Sequence, residues 1–225
     1  MSNHPRLAVI HTSATLAPVF SDLLRSTLPD NVSSFHLSDD SLIADVIRDG
    51  GVTTATEDRV ADYVRSAEAM GADLILVTCS SIGRAVENAA ETVSAQVLRV
   101  DQPMVDQAIA SGSRLGVVAT LSTTLEPTVG LVTRRAEAAG KEVSVAPQVC
   151  EGAFEALMSG DPERHDRLVR TAIEELAADV DVIILAQASM GRIAAGLPED
   201  FPVPVLTSPP IAAAEVSTRL SELAG

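Results

Sequence analysis

Asp73-Leu-Ile-Leu-Val-Thr-Cys-Ser-Ser-Ile-Gly-Arg84 and Asp181-Val-Ile-Ile-Leu-Ala-Gln-Ala-Ser-Met-Gly-Arg192 are two copies of one pattern: an acidic residue, four aliphatic residues, a short turn and a Gly-Arg pair. Their positions differ by a constant 108 residues, since 181 − 73 and 192 − 84 are both 108. A second pair of blocks keeps that offset. Arg6-Leu-Ala-Val-Ile recurs as Arg114-Leu-Gly-Val-Val, and Thr12 and Thr15 recur as Thr120 and Thr123. One register held across two separated blocks is the mark of an internal duplication. Four aliphatic residues bounded by polar ones read as a strand buried on both faces, the pattern of parallel sheets flanked by helices.

Outward from these blocks, apolar and β-branched runs alternate with segments of helical periodicity. Strands are predicted over 6–11, 32–36, 74–78, 96–100, 114–119, 142–146, 182–186 and 203–206. Helices are predicted over 16–28, 54–70, 81–94, 102–111, 124–139, 151–159, 164–178, 189–195 and 210–223. The alternation implies an α/β fold of βαβ units. Together with the duplication it implies two pseudo-symmetric parallel-sheet halves, 1–111 carrying Cys79 and 112–225 carrying Gln187, joined by Ala110-Ser-Gly-Ser-Arg114. Open parallel sheets bind ligands outside the carboxyl ends of their strands. Those ends carry His11-Thr12-Ser13, Thr78-Cys79-Ser80-Ser81, Ala119-Thr120-Leu121-Ser122-Thr123 and Ala186-Gln187-Ala188-Ser189, which line one active-site cleft if the halves face each other.

Composition removes several classes of function. Asp and Glu number 31 against 16 Lys and Arg, a net charge of −15 that repels phosphate backbones and anionic membranes. One Tyr and no Trp leave little for base stacking, so no nucleic-acid partner is expected. Every apolar run is broken well short of the ~18 residues of a membrane span. Met1–Ala8 lacks the basic and apolar regions of a secretion signal, so no membrane association and a cytoplasmic location are expected. The two cysteines, Cys79 and Cys150, read as free thiols. His4, His11, His36 and His165 show no metal-ligand spacing, and neither a GxGxxG nor a GxxxxGK[ST] loop nor a GxSxG elbow occurs. Neither a metal nor another cofactor is expected.

Cys79 follows a buried strand and precedes a helix that Ser80 or Ser81 could cap. A thiol there feels the positive end of the helix dipole, which favours the thiolate and with it nucleophilic or general-base chemistry. The competing reading is a small core residue. His11 ends the first strand, next to the Cys79 strand in a doubly wound sheet, and is the candidate proton partner. Its competing reading is a histidine bonded to a loop carbonyl. Thr12, Ser13, Thr120 and Thr123 offer hydroxyls and loop N–H groups suited to a carboxylate, although such residues also serve as simple helix caps. Ser80, Ser81, Ala188 and Ser189 complete the candidate substrate contacts. Arg84 and Arg192 read as solvated helix residues, and Cys150 as a core or capping thiol.

The blocks RLAVIHTSATLAP, LILVTCSSIG, RLGVVATLSTT, EGAFEALMSGDPERHD and VIILAQASMGR, in this order, resemble the aspartate/glutamate/hydantoin racemase superfamily over nearly the whole chain. The resemblance implies a cofactor-independent enzyme with two pseudo-symmetric α/β domains, a small carboxylate substrate and a possible homodimer. In such racemases one cysteine from each half flanks the substrate carbon. Cys79 matches the first of them, and Gln187 stands where the second is expected. Glutamine holds no titratable proton near neutrality and can only donate or accept hydrogen bonds. The resemblance therefore implies an isomerase with Cys79 as base or nucleophile, His11 as proton partner and Gln187 as an oxyanion or substrate-oriented donor. Maleate isomerase and arylmalonate decarboxylase relatives leave open a lyase that protonates an enediolate through Cys79. A carboxylate-binding paralogue without turnover also stays open.

Overall fold

The computed structural model describes residues 4–224; Met1 to Asn3 and Gly225, the outer ends of the two predicted halves, lie outside the described residues. The chain runs β1 (Arg6–His11), α1 (Leu16–Thr27), β2 (Ser33–Ser38), α2 (Asp40–Asp49), α3 (Thr54–Ala69), β3 (Leu74–Val77) and α4 (Gly83–Ala90). It continues with β4 (Gln96–Arg99), α5 (Gln102–Ser111), β5 (Arg114–Ala119), α6 (Ser122–Ala138), β6 (Ser144–Val149), α7 (Ala153–Met158) and α8 (Pro162–Leu176). The last elements are β7 (Val182–Leu185), α9 (Gly191–Ala195), β8 (Val205–Thr207) and α10 (Ser208–Ala224). Short 3-10 turns, Ser80–Ile82 and Ala188–Met190, lead into α4 and α9.

Two four-stranded parallel sheets result, ordered β2-β1-β3-β4 and β6-β5-β7-β8. The repeated acidic residue has a visible purpose. Asp73 accepts the backbone N–H of Arg6 at 2.8 Å, and Asp181 accepts that of Arg114 at 2.8 Å. Each carboxylate thus pins the start of a central strand to its neighbour. Asp181 also holds the Arg114 guanidinium, which keeps its carboxyl down at about 2.

The first unit comprises 1–100 and 209–225. On one face of its sheet Ala8, Ile10, Ile75 and Val77 pack with Leu42, Val46, Val60, Val64 and Val86 from α2, α3 and α4. On the other, Leu7, Val9, Leu76 and Leu98 pack with Phe20 and Leu24 of α1 and Val216 and Leu220 of α10. With both faces covered, β3 reads as an unbroken apolar run, and burying each of its leucines contributes about 1.5–3 kcal/mol. The second unit is 101–208. There Val118, Ile183 and Leu185 pack with Cys150, Val169, Ile173, Met190 and Ile193 on one face, while α5 and α6 pack together and onto the sheet.

Three features differ from the sequence reading. The cut predicted at 111/112 is not where the packing divides: α5 belongs to the second unit, and α10 returns to the first because Val216 and Leu220 complete the core over β1 and β3. Helix α2 was not predicted, although Asp39 caps it by accepting the Ser41 N–H and Gly50, at φ 70°, ends it. Its ten residues bury only Leu42 and Val46, too little for a strong periodic signal. Strand β6 runs through Pro147, which reads as a strand terminator, because β6 is an edge strand with one side unpaired. Among the described residues no helix is long and apolar enough to cross a membrane.

Candidate active site

At the carboxyl end of β3 the chain passes through Thr78 and Cys79 into the 3-10 turn. Cys79 has extended backbone angles (φ −129°, ψ 116°) and stands immediately before that turn, half-buried. Ser80 and Ser81 are buried in that turn, and the residue at the N-cap position of α4 is Ile82, whose side chain cannot cap. The thiol therefore shares the mouth of the helix with main-chain N–H groups and lies against the α2–α4 face of the core.

His11 takes a different side. Its ring stacks on His36 (centroids 5.1 Å apart) and tilts against Phe20 of α1, whereas Cys79 packs with Ile10 and Val77 on the opposite face. Both ring nitrogens are engaged. His11 Nδ1 and Thr78 Oγ1 are hydrogen-bonded at 2.8 Å, and Thr78 Oγ1 also lies 3.3 Å from the Ile10 carbonyl. His11 Nε2 and His36 Nδ1 share a hydrogen bond of 2.8 Å, and His36 Nε2 and the Ser21 hydroxyl one of 3.1 Å. Burial, with the neighbouring His36 adding to it, pushes the His11 imidazole down to about 4; burial lowers His36 as well. His11 is thus a neutral member of a hydrogen-bonded chain that includes Thr78, the residue before Cys79. The sequence reading gives Thr78 no role beyond its place at a strand end and gives none to His36 or Ser21. Thr78 and Ser21 correspond to Ala186 and Val129 at the 108-residue offset, and His36 lies in register beside Val9 as Pro147 does beside Val117, so neither a histidine nor a hydroxyl recurs at these positions of the second copy.

In the second unit Gln187 occupies the Cys79 position with similar backbone angles (φ −129°, ψ 137°). Its Oε1 accepts both the Thr120 N–H (2.7 Å) and the Thr120 hydroxyl (2.9 Å). A backbone N–H demands an acceptor, so the amide has one orientation and presents its NH2 as donor. Helix α6 follows directly, and no side chain caps it. Thr123, in its first turn, has a buried Oγ1 with no partner among the described residues, and Pro127 lacks the N–H that would bond the Thr123 carbonyl. Ala188 and Ser189 lie half-buried in the 3-10 turn, the Ser189 carbonyl accepting from Arg192 at 3.3 Å. In the first unit Thr12 is buried and Ser13 bonds Thr15 at 2.8 Å.

Residues outside these turns have structural roles. Arg192 pairs with Asp166, which also accepts from the buried His165 at 2.8 Å. Cys150 is in the core, its thiol pushed up to about 11 by burial with Glu175 adding to it. No group of three or more metal-ligating side chains occurs among the described residues.

Solved structures share this architecture. Allantoin racemase from Klebsiella pneumoniae superimposes with a TM-score of 0.72 at 17% identity, covering 97% of this chain and 88% of that one. A putative Asp/Glu racemase from Yersinia pestis gives a TM-score of 0.77 at 16% identity, covering 96% and 99%. Glutamate racemase from Thermus thermophilus gives 0.72 at 20% identity, covering 99% and 83%. At such identities the likeness speaks for the fold. No curated protein matches the chain in sequence. The family model described as Asp/Glu/Hydantoin racemase matches residues 7–216, nearly the whole chain. The protein belongs to the Asp/Glu/hydantoin racemase family.

Proposed function

We propose that this protein is a cofactor-independent, racemase-like isomerase of a small carboxylate such as an amino acid or a derivative. The observation that carries the reading is the difference between the copies of the duplicated turn: a half-buried thiol at a helix mouth in one, an amide whose oxygen is held by Thr120 in the other. The first unit supplies the reacting group. Cys79 as thiolate takes the α-proton, becoming S–H, while the C–H electron pair moves into an enediolate. The second unit, taken by itself, carries donors at the equivalent turn: the Gln187 NH2, the Thr123 hydroxyl and the uncapped start of α6 suit an anionic oxygen. Thr12, Ser13, Ser80, Ser81, Thr120, Ala188 and Ser189 complete the substrate contacts. His11 holds Thr78, and through it Cys79, in place as a positioning residue.

Return of the proton to the same face restores the substrate. Inversion needs a second proton carrier; glutamine holds no titratable proton, so water delivers it. The same substitution favours a second reading: CO2 leaves a malonate-type acid and the Cys79 S–H protonates the resulting enediolate on one face.

The test is incubation in D2O with single enantiomers of aspartate and glutamate, with hydantoins and allantoin, which carry no carboxylate, as the contrasting arm; these are the compounds that the names of the family and of the related structures suggest. α-Deuterium incorporation with loss of optical purity is expected, and Cys79→Ala should abolish it. CO2 release from arylmalonates would select the lyase, a thermal shift alone would leave only binding, and full activity in Cys79→Ala would overturn the role of the thiol.

A further inference from the structure

Beneath the duplicated turn the two copies differ in charge. β4 ends at Arg99, in register beside Val77 and 3% exposed, and its Nη1 donates to Glu87 Oε1 on α4 at 2.5 Å. The guanidinium occupies the space that a side chain at Gly83 would need: a Cβ built there would overlap Cζ, Nη2 and Nε. Gly83 is the first residue of α4, four after Cys79. In the second unit the equivalent residues are Thr207, beside Leu185, then Ala195 and Gly191. Gly191 repeats the backbone angles of Gly83 (φ −56°, ψ −36°), yet a Cβ there would meet open space. Backbone conformation therefore does not explain the glycine at 83; the arginine does. A buried cation is costly to desolvate, and it stands only under the turn that carries a thiol, whereas the turn that carries a neutral amide has threonine.

We propose that Arg99 is a positioning residue for Cys79, its buried guanidinium adding positive potential to the helix mouth and thereby holding the thiol as thiolate. The proposal deepens the catalytic reading of Cys79 and rests on it. Other ionisable groups on these elements act in known directions. Arg84 is exposed, shares Glu87 at 3.0 Å and has a counterpart in Arg192, so it is not the difference between the copies. His11 is neutral on the opposite face, and Asp101, two residues beyond Arg99, is buried and common to every variant tested.

The experiment uses the full chain carrying Cys150→Ala, so that Cys79 alone reports, and follows iodoacetamide alkylation against pH by mass spectrometry. Removing both charges with Arg99→Met/Glu87→Gln should raise the alkylation midpoint by about one pH unit, roughly a tenfold loss of thiolate below it. Glu87→Gln alone leaves the cation less neutralised and should lower the midpoint. Opposite shifts support the proposal, because merely loosening the turn would move both variants the same way. An unchanged midpoint in the natively folded double variant, or shifts of one sign, overturns it. Should the double variant fail to fold, Gly83→Ala displaces the guanidinium without removing charge; a raised midpoint supports the proposal and an unmoved one overturns it. Full turnover in Cys79→Ala would refute the catalytic reading by itself, whereas an unmoved midpoint with turnover lost in Cys79→Ala would refute the Arg99 role alone.

Discussion

Acidification from pH 7 to pH 5 should destabilise the protein mainly through one imidazole. His11 is fully buried, with a pKa of about 4 against 6.5 for an unperturbed histidine. Between those values the unfolded chain binds a proton that the folded chain refuses, so stability falls as pH falls. At 1.36 kcal/mol per pH unit, the whole depression corresponds to about 3 kcal/mol, of which about 2 kcal/mol is lost by pH 5. The contribution is complete above pH 6.5 and exhausted below about 4. Burial lowers His36 too, which adds in the same direction. Urea unfolding at pH 7 and pH 5 measures the effect. His11→Gln leaves Thr78 and His36 short of a partner and should cost about 1–3 kcal/mol at pH 7. It should also remove more than half of the loss between pH 7 and pH 5. An unchanged pH dependence in His11→Gln would refute the neutral state of His11.

Two more outcomes follow from side chains with crowded partners. Asp39 accepts from Ser41 N, Ser41 Oγ, Tyr63 Oη and Arg59, which holds its carboxyl down at about 2; Asp39→Ala should cost about 2–4 kcal/mol in urea unfolding at pH 7. That contribution is present above the ordinary carboxylate pKa and is lost as pH falls through about 2, well below the histidine window. Gln187→Glu keeps an acceptor for Thr120 but replaces the donor NH2 with a charged carboxylate oxygen. Its unfolding stability should stay within about 1 kcal/mol of wild type, and turnover of a carboxylate substrate should fall by more than about tenfold.

Much of the fold is legible locally. LILV at 74–77 and VIIL at 182–185 are buried on both faces and so appear as unbroken apolar runs. The Asp73–Arg6 and Asp181–Arg114 contacts appear as repeated letters because each pins a strand start, a need shared by both copies. Helix α2 was harder to see: two buried residues and a cap carry less signal than a full apolar stripe. At the site, residue types and their position at strand ends were readable, but their hydrogen-bond partners were not.

The sequence by itself determined the duplication, the parallel α/β class and the placing of Cys79 and Gln187 at equivalent turns, because apolar periodicity and a fixed offset are properties of the chain read in order. Tertiary structure decided the rest. It turned His11 toward His36 and Thr78, 25 and 67 residues away. It oriented the Gln187 amide through Thr120, 67 residues away, and laid Arg99 against Gly83. It also brought α10 back over the first sheet. A hydrogen bond has a direction and a buried charge needs a partner within a few ångströms, and which groups come that close is set by the register of parallel strands whose residues lie far apart in sequence.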